Sequence, residues 1–291
     1  MRSSTFEPTR GYLKNDADST SSTGAKNNSG IWRLEEVHTA ISDIIPIGEH
    51  RYTTPGTYTW VAPAGVTSVT ILVVGAGGGT TGGALGYKNN RAVTPGASYQ
   101  IRAGLGGTSR GGGQGGNAGE SSYFKNSDGS GDTTAQGGPA RIGNGSTTAA
   151  TRSGDTDGGG NGGRHTSNGG GYTGTGAGGY SGNGGNYANA GGSFQAGSGG
   201  GGASANWAYN SGGGVGIYGE GASGTSARAG GSGGSNGGAS SAGGTHGGGA
   251  SANPAGLRGG AGAVRILWGE GRAFPSTLVD LASSDGNVST N

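Results

Sequence analysis

Hydrophobic and polar positions along the chain change period three times. In "GIWRLEEVHTAISDIIPIG", Ile31, Leu34, Val37 and Ile41 recur at three- and four-residue steps, the spacing of one helical face. Pro46 and Gly48 would stop such a helix. It is short and marginal by itself, so its apolar stripe is expected to dock on something. From His50 the period becomes two. "TTPGTYTW" carries a turn at Pro55-Gly56, then Tyr58 and Trp60 on one face of a strand. "PAGV" turns again into "TSVTILVV", where Val69, Ile71 and Val73 alternate with Thr70, Leu72 and Val74, so both faces are largely apolar. "TPGASYQIRAG" repeats the turn and places Tyr99, Ile101 and Ala103 on one face, and "ESSYF" adds a short strand.

From about Gly154 to Gly262 neither period survives, and the chain reads as Gly, Ser, Ala, Asn and Thr. Strand character returns in "GAVRILWGEGRAFPST", with Val264, Ile266 and Trp268 facing one way. A strand so late needs a partner, and "TSVTILVV" is the best candidate. The two ends are therefore predicted to close one sheet, with the glycine region hung between them. Four parts result: an N-terminal segment with a short helix (1–48), a β-rich part (49–150), a glycine region (151–262), and a C-terminal strand and tail (263–291).

Composition sharpens the problem of the third part. Of 291 residues, 77 are glycine, and Leu, Ile, Val and Phe together number 34. That is about 12%, below the roughly 20% typical of a packed core. Disordered chains usually combine such a shortage with high net charge, whereas here 18 basic residues face 16 acidic ones. Ordering glycine costs more backbone entropy than ordering any other residue. Either the region stays disordered or a hydrogen-bonded main-chain lattice compensates. Proline is nearly absent there and glycine lacks a strict period of three, which excludes collagen. Polyglycine can instead form extended rods with three residues per turn, which lack internal hydrogen bonds and can bond sideways to neighbours. Ser, Ala, Asn and Thr would then point outward, with aromatics where rods reverse. The expected fold is all-β: a small sandwich-like domain closed by the C-terminal strand, with a polyglycine-II-like stack and a short N-terminal helix.

Without cysteine, disulfides and thiolate metal sites are excluded. No apolar h-region opens the chain, so a secretory leader is not expected, and no run approaches the ~18 apolar residues of a membrane helix. A net charge of +2 argues against a nucleic-acid partner.

Several motifs tempt a chemical reading. "VVGAGGGTTGG" empties a strand into glycines, as a dinucleotide fold does, but the sequel lacks an amphipathic helix and soon becomes another strand. "GTSRG" (107–111) matches a nucleophile elbow, yet 230–234 and 233–237 match equally well, and no helix follows. His38, His50, His165 and His246 fall in separate segments, away from any serine–carboxylate arrangement. "GDTDGGGNGG" offers Asp155, Asp157 and Asn161 as a single incomplete calcium-like loop, read more simply as a polar turn. No catalytic residue, cofactor or metal is expected, and the protein is read as a non-enzyme.

The rings inside the glycine region are more informative. Tyr172, Tyr180, Tyr187 and Phe194 are spaced by eight, seven and seven residues, and Trp207, Tyr209 and Tyr218 follow. Such rings among Ser, Gly and Asn suit a contact surface, or they fill a scarce core.

"TTPGTYTWVAPAGVTSVTILVVGAGGG" followed by "TPGASYQIRAGLGG" resembles the glycine-rich domain of bacteriophage tail-fibre and other virion proteins, over roughly residues 51–140. "SGIWRLEEVHTA" is similar to a segment near the start of phage fibre proteins, and "GAVRILWGEGRAFPST" to the end of structural proteins of marine phages, cyanophages especially. The glycine tract resembles the polyglycine-II sandwich of tail-tip adhesins in T-even-like phages. The resemblance implies a virion protein of host attachment, made in the host cytoplasm and residing on the particle. Ile31, Trp32, Leu34 and Val37 would dock it to other tail proteins or trimerise it. The seven rings would meet a host glycan or outer-membrane protein. The alternative is a virion component that binds no receptor, such as a capsid or neck decoration or a fibre-base adaptor.

Overall fold

A computed structural model describes residues 47–269 apart from 113, 144, 167–172, 188–193 and 207–208, together with 271–275 and the backbone of four short strands outside that range. The chain divides into two compact units, Met1–Pro46 and Ile47–Asn291. In the first, β1 (Thr5–Glu7), β2 (Tyr12–Lys14) and β3 (Ile31–Trp32) form an antiparallel sheet in that order. Ile31 pairs with Lys14 and Trp32 with Leu13. The helix expected to begin at Ile31 therefore does not include Ile31 or Trp32. A β-branched residue followed by an aromatic suits a strand, and with β2 as a partner, pairing overrides the weak helical period. Leu34, Val37 and Ile41 lie outside the described residues. No helix occurs among the described residues.

The second unit is built on two larger sheets. One has the order β14 (Gly158–Gly160), β7 (Leu85–Ala92), β6 (Ser68–Val74), β15 (Ala263–Trp268), β4 (Gly48–Tyr52), β16 (Val288–Thr290). It is antiparallel except at β16, which runs parallel to β4. The other has the order β13 (Arg152–Gly154), β11 (Thr133–Ala135), β10 (Ser122–Asn126), β8 (Ser98–Ala103), β5 (Gly56–Val61). A small pair joins β12 (Arg141–Ile142) to β9 (Gly115–Gly116).

The late strand β15 pairs with β6, with Ile266 opposite Ile71 and Val264 opposite Val73, so the two ends of this unit do close one sheet. Alternation explains why β15 is buried along its whole length and β6 beyond Ser68. Val69, Ile71, Val73, Val264, Ile266 and Trp268 meet Trp60, Tyr99, Ile101 and Phe124 of the five-stranded sheet. Leu72, Val74, Ala263 and Leu267 point the other way, into a second cluster with Tyr180, Val215 and Ile217 of the glycine region. A strand covered on both faces needs apolar residues at every position. This all-β arrangement of two sheets over one shared core is compatible with a sandwich.

Beyond the sheets, main-chain bonds run sideways between segments that belong to no ladder. Residues 174–179 give the clearest case. Gly174 and Ala177 donate to the carbonyls of Asn210 (2.7 Å) and Gly213 (2.9 Å). Thr175 and Gly178 donate to Thr80 (3.1 Å) and Gly83 (2.9 Å). Gly176 and Gly179 donate to Gly185 (3.1 Å) and Gly182 (2.8 Å). Successive amides thus turn to three different neighbours and return to the same one every third residue. Neighbours at this distance leave no room for a side chain between them. A Cβ on Gly176 would run into the Gly202 carbonyl, and one on Gly82 into the Gly176 carbonyl. The non-glycine residues do not simply face outward, as expected from sequence. Thr173, Thr175, Ala177, Ala203, Ser204, Ser211 and Ser251 are all buried. They fit because they are small and, where polar, join the network: the Thr175 hydroxyl donates to Gly163 O (2.6 Å) and accepts from Gly82 N (2.8 Å).

Each lateral bond contributes about 1 kcal/mol net against roughly 1–2 kcal/mol of backbone entropy per ordered residue. The hydrophobic contact with Leu72, Val74 and Leu267 supplies what the bonds lack.

Two predictions follow from this packing. Gly176→Ala is expected to lower unfolding free energy by about 1–3 kcal/mol or more, because backbone cannot yield as side chains do. Gly145→Ala, whose Cβ would meet only the Ile142 carbonyl at 3.7 Å, should stay within about 0.5 kcal/mol. Denaturant midpoints of the two variants measure the difference. The second concerns His165, which is fully buried and donates from Nε2 to Thr80 O at 3.2 Å. Burial, and secondarily the Arg141 guanidinium, push its pKa from 6.5 down to about 3. The unfolded imidazole binds a proton that the folded one refuses, so its contribution is complete above pH 6.5 and lost as pH falls toward 3. Stability should drop by about 1.4 kcal/mol per pH unit inside that window for this one group, and His165→Gln should flatten the slope measured by urea unfolding between those limits.

Candidate functional site

The glycines after β6 answer first to the lattice. The amides of Gly75, Ala76, Gly77, Gly78 and Gly79 donate to the carbonyls of Ala84, Glu120, Gly260, Thr81 and Asn117. A pyrophosphate needs such amides unengaged and a helix behind them, and here the chain continues into β7. Ser109 of the elbow-like motif is also occupied: its Oγ donates to Pro254 O (2.8 Å) and accepts from Leu257 N (3.1 Å). Asp155 and Asp157 do share a cation, but it is the Lys88 ammonium, 2.9 and 2.8 Å from their carboxylates. That pairing raises the Lys88 pKa and holds the Asp157 carboxyl below its usual range. Among the described residues, no group of three or more His, Asp or Glu is placed to hold a metal ion. No described helix is long and apolar enough to cross a membrane.

The aromatic set divides by location. Tyr180, expected to face outward, is fully buried. Its ring lies 5.7 Å from Phe274 and 6.4 Å from Tyr87, and its hydroxyl donates to Gly216 O (3.0 Å) and accepts from Gly219 N (3.1 Å). Burial raises its pKa. Tyr187 is buried too, with its ring 5.5 Å from that of His165. Both rings are internal because large apolar surface is scarce in this region and burying a ring removes more of it from water than any Ser or Ala can. Phe194 (37% exposed), Tyr209 (39%) and Tyr218 (43%) reach solvent. Tyr172 and Trp207 lie outside the described residues, as do Leu34 and Val37.

Chain direction tells which end of the laterally bonded segments each exposed ring occupies. Residues 174–179 run antiparallel to 182–185, and also to 202–205, whose Gly202 and Ala205 donate back to Ala177 and Gly174. The reversals at 179–182 and 198–201 therefore share one end, the end where Tyr180 meets the six-stranded sheet. Phe194 and Tyr209 border the opposite end, beside Gln195, which donates to Ser204 Oγ (2.7 Å), and Ser240, which donates to Tyr209 O (2.6 Å). Tyr209 has φ +57°, a region costly for a bulky side chain, held in place by this contact.

At the sheet-side end lies a charged cluster that sequence reading did not single out. Glu49 on β4 is buried beside Arg265 on β15, with Arg265 Nε 3.1 Å from Glu49 Oε2. Arg51 Nε approaches Glu49 Oε1 at 3.0 Å, and Arg272 Nη2 stands 4.0 Å from Oε2. Arg265 also donates to Ile217 O (3.1 Å) and Arg272 to Gly48 O (2.7 Å). Three guanidiniums thus approach the Glu49 carboxylate. Tyr218 covers them: its ring centroid is 4.6 Å from the Arg265 guanidinium carbon and 5.6 Å from that of Arg51, and its hydroxyl accepts from Arg51. Beside this ring is a cleft of about 500 Å³ between β4 and the turns at 215–218, 233–235 and 245–246. Period-two reading could have found it, because Glu49 and Arg51 alternate with His50 and Tyr52, and Arg265 interrupts an otherwise apolar strand. A buried charge in such a strand is a signal that a partner exists.

Compared with known proteins, the chain matches no family model and no curated relative.

Removing the Glu49 carboxylate should be severe. Glu49→Ala is expected to cost about 3–5 kcal/mol, because Arg265 would stay buried without its counter-ion. Equilibrium urea unfolding of Glu49→Ala beside the parent chain checks this.

Proposed function

We propose that this protein is a bacteriophage virion component, a tail fibre or receptor-binding adhesin, whose glycine region is a polyglycine-II-like stack that presents contact residues at its free end. The three-residue recurrence of lateral bonds along 174–179 supports the stack, because a rod with three residues per turn aims every third amide the same way. The observation that carries the attachment reading is the exposure of Phe194 and Tyr209 at the end of the stack away from the sheet. Exposed rings on a rigid backbone give contact area with little ordering cost. In this reading the N-terminal unit joins other tail proteins or a homotrimer, and the distal rings meet a host glycan or an outer-membrane protein. Tyr180 and Tyr187 serve as internal packing, so among the described rings of that end the contact set narrows to Phe194 and Tyr209.

Particles carrying Phe194→Ser with Tyr209→Gly test the idea. Glycine accepts the backbone angle of residue 209, so folding should persist. Adsorption to host cells is expected to slow at least ~10-fold, the effect of losing one aromatic anchor, while particle yield and heat resistance hold. Unchanged adsorption with altered particle stability would favour the alternative, a neck or capsid decoration or a fibre-base adaptor.

A further inference from the structure

We propose that strand β5 is a self-pairing edge: two copies of this chain join β5 to β5, antiparallel, across a two-fold axis at Thr59. The edge belongs to the five-stranded sheet, and the argument for it does not depend on the attachment reading.

Main-chain groups without partners are the first reason. β5 ends its sheet and pairs only with β8. Just beyond the strand, Ala62 N donates to Ala97 O at 3.0 Å, so the alternate residues Trp60, Tyr58 and Gly56 are the ones that bond to β8. Thr57, Thr59 and Val61 therefore aim their N–H and C=O groups away from the sheet, and no described residue bonds to them there. Proteins usually blunt such an edge with a charge, an internal proline, a bulge or a cover. β5 has none of the first three. Its register against β8 is unbroken, and no Asp, Glu, Lys or Arg occurs from Thr53 to Val69. The edges at β13 and β14 differ. Arg152 on β13 is exposed and donates to Gly159 O of β14 at 2.7 Å, and a Cβ on Gly160 of β14 would strike the Gly182 carbonyl.

Register is the second reason, and it selects a second copy as the occupant. Pro55 and Pro63 each stand four residues from Thr59. Both fall at positions whose N–H would point outward, and proline has none to offer, so pairing stops there. A copy centred on Thr59 sets Pro55 against Pro63, so the bonded window closes at both ends together. Within it Thr59 faces Thr59 and Thr57 faces Val61, exchanging about six main-chain bonds. These side chains are exposed, Val61 by 53%, and β-branched neighbours across a strand pair pack well. On the other face Tyr58, a partly buried ring, meets Trp60 of the second copy. A neutral edge suits its own copy, because any charge on the two-fold axis would meet itself.

Sedimentation equilibrium of the full chain, with amide exchange read by NMR, tests the assignment. The parent chain is expected to associate through this edge with Kd on the order of 10 μM. As protein concentration rises, the amides of Thr57, Thr59 and Val61 should slow in exchange, while those of Tyr58 and Trp60, already bonded to β8, should not change. Thr59→Lys and Thr59→Glu alter an exposed position and should each weaken association at least ~10-fold by setting like charges opposite one another. An equimolar mixture of the two variants should recover association as a one-to-one pair, an outcome that a folding defect cannot produce. A parent chain that shows no concentration-dependent association up to about 1 mM would overturn the proposal and leave the edge to a strand from another protein. Association that neither variant weakens, a mixture that fails to recover it, or exchange at Thr57, Thr59 and Val61 that ignores concentration would overturn it as well.

Discussion

Everything in the larger unit depends on how closely two main chains can approach. A carbonyl of one glycine segment sits where the Cβ of its neighbour would be, as between Gly82 and Gly176 or between Gly176 and Gly202. At that separation amides and carbonyls find each other sideways without a ladder of paired strands. The same closeness leaves little room for apolar side chains, so the region cannot build an ordinary core of its own. Hydrogen bonds that are worth little each must do by number what burial does elsewhere.

This explains why the six-stranded sheet is apolar on both faces. Its inner face meets the five-stranded sheet through Ile71, Ile266, Trp60 and Phe124, a conventional hydrophobic layer. Its outer face meets the glycine region through Leu72, Val74 and Leu267, and Tyr180, Val215 and Ile217 are the few large side chains the region can offer in return. The scarcity of such groups accounts for the fate of Tyr180 and Tyr187. Rings that look like display elements in a polar sequence are drawn inward, because the interior has almost nothing else of their size. Phe194, Tyr209 and Tyr218 stay exposed where segments reverse or end, beyond the reach of that interior.

The charged cluster is a consequence of the same geometry. Arg265 lies on the face of β15 turned to the glycine region, where an apolar layer is thin and backbone carbonyls such as that of Ile217 are abundant. A guanidinium can be accommodated there if a carboxylate and carbonyls share its donors. Glu49 supplies the carboxylate from the adjacent strand β4. Arg51 and Tyr218 then complete the cluster on the side that opens to solvent.

Much of this was legible in the residues alone. Period-two patterns located Tyr58, Trp60, Tyr99 and Ile101, and the apolar run at 69–74 announced a strand covered on both faces and paired with 263–268. Those features are local, or need only one partner, so spacing suffices. The shortage of Leu, Ile, Val and Phe with balanced charge likewise required that any order in the glycine region come from main-chain bonds. Which amide meets which carbonyl was not legible, because glycine has no side chain to encode a choice and every segment there looks alike. Nor could spacing decide that Ile31 and Trp32 join a strand, that Tyr180 and Tyr187 turn inward, or that Arg265 and Arg272 join Arg51 at Glu49 from more than 200 positions away. Such facts belong to the folded arrangement: they depend on which distant segments the lateral lattice and the closing strand bring within a few ångströms of one another.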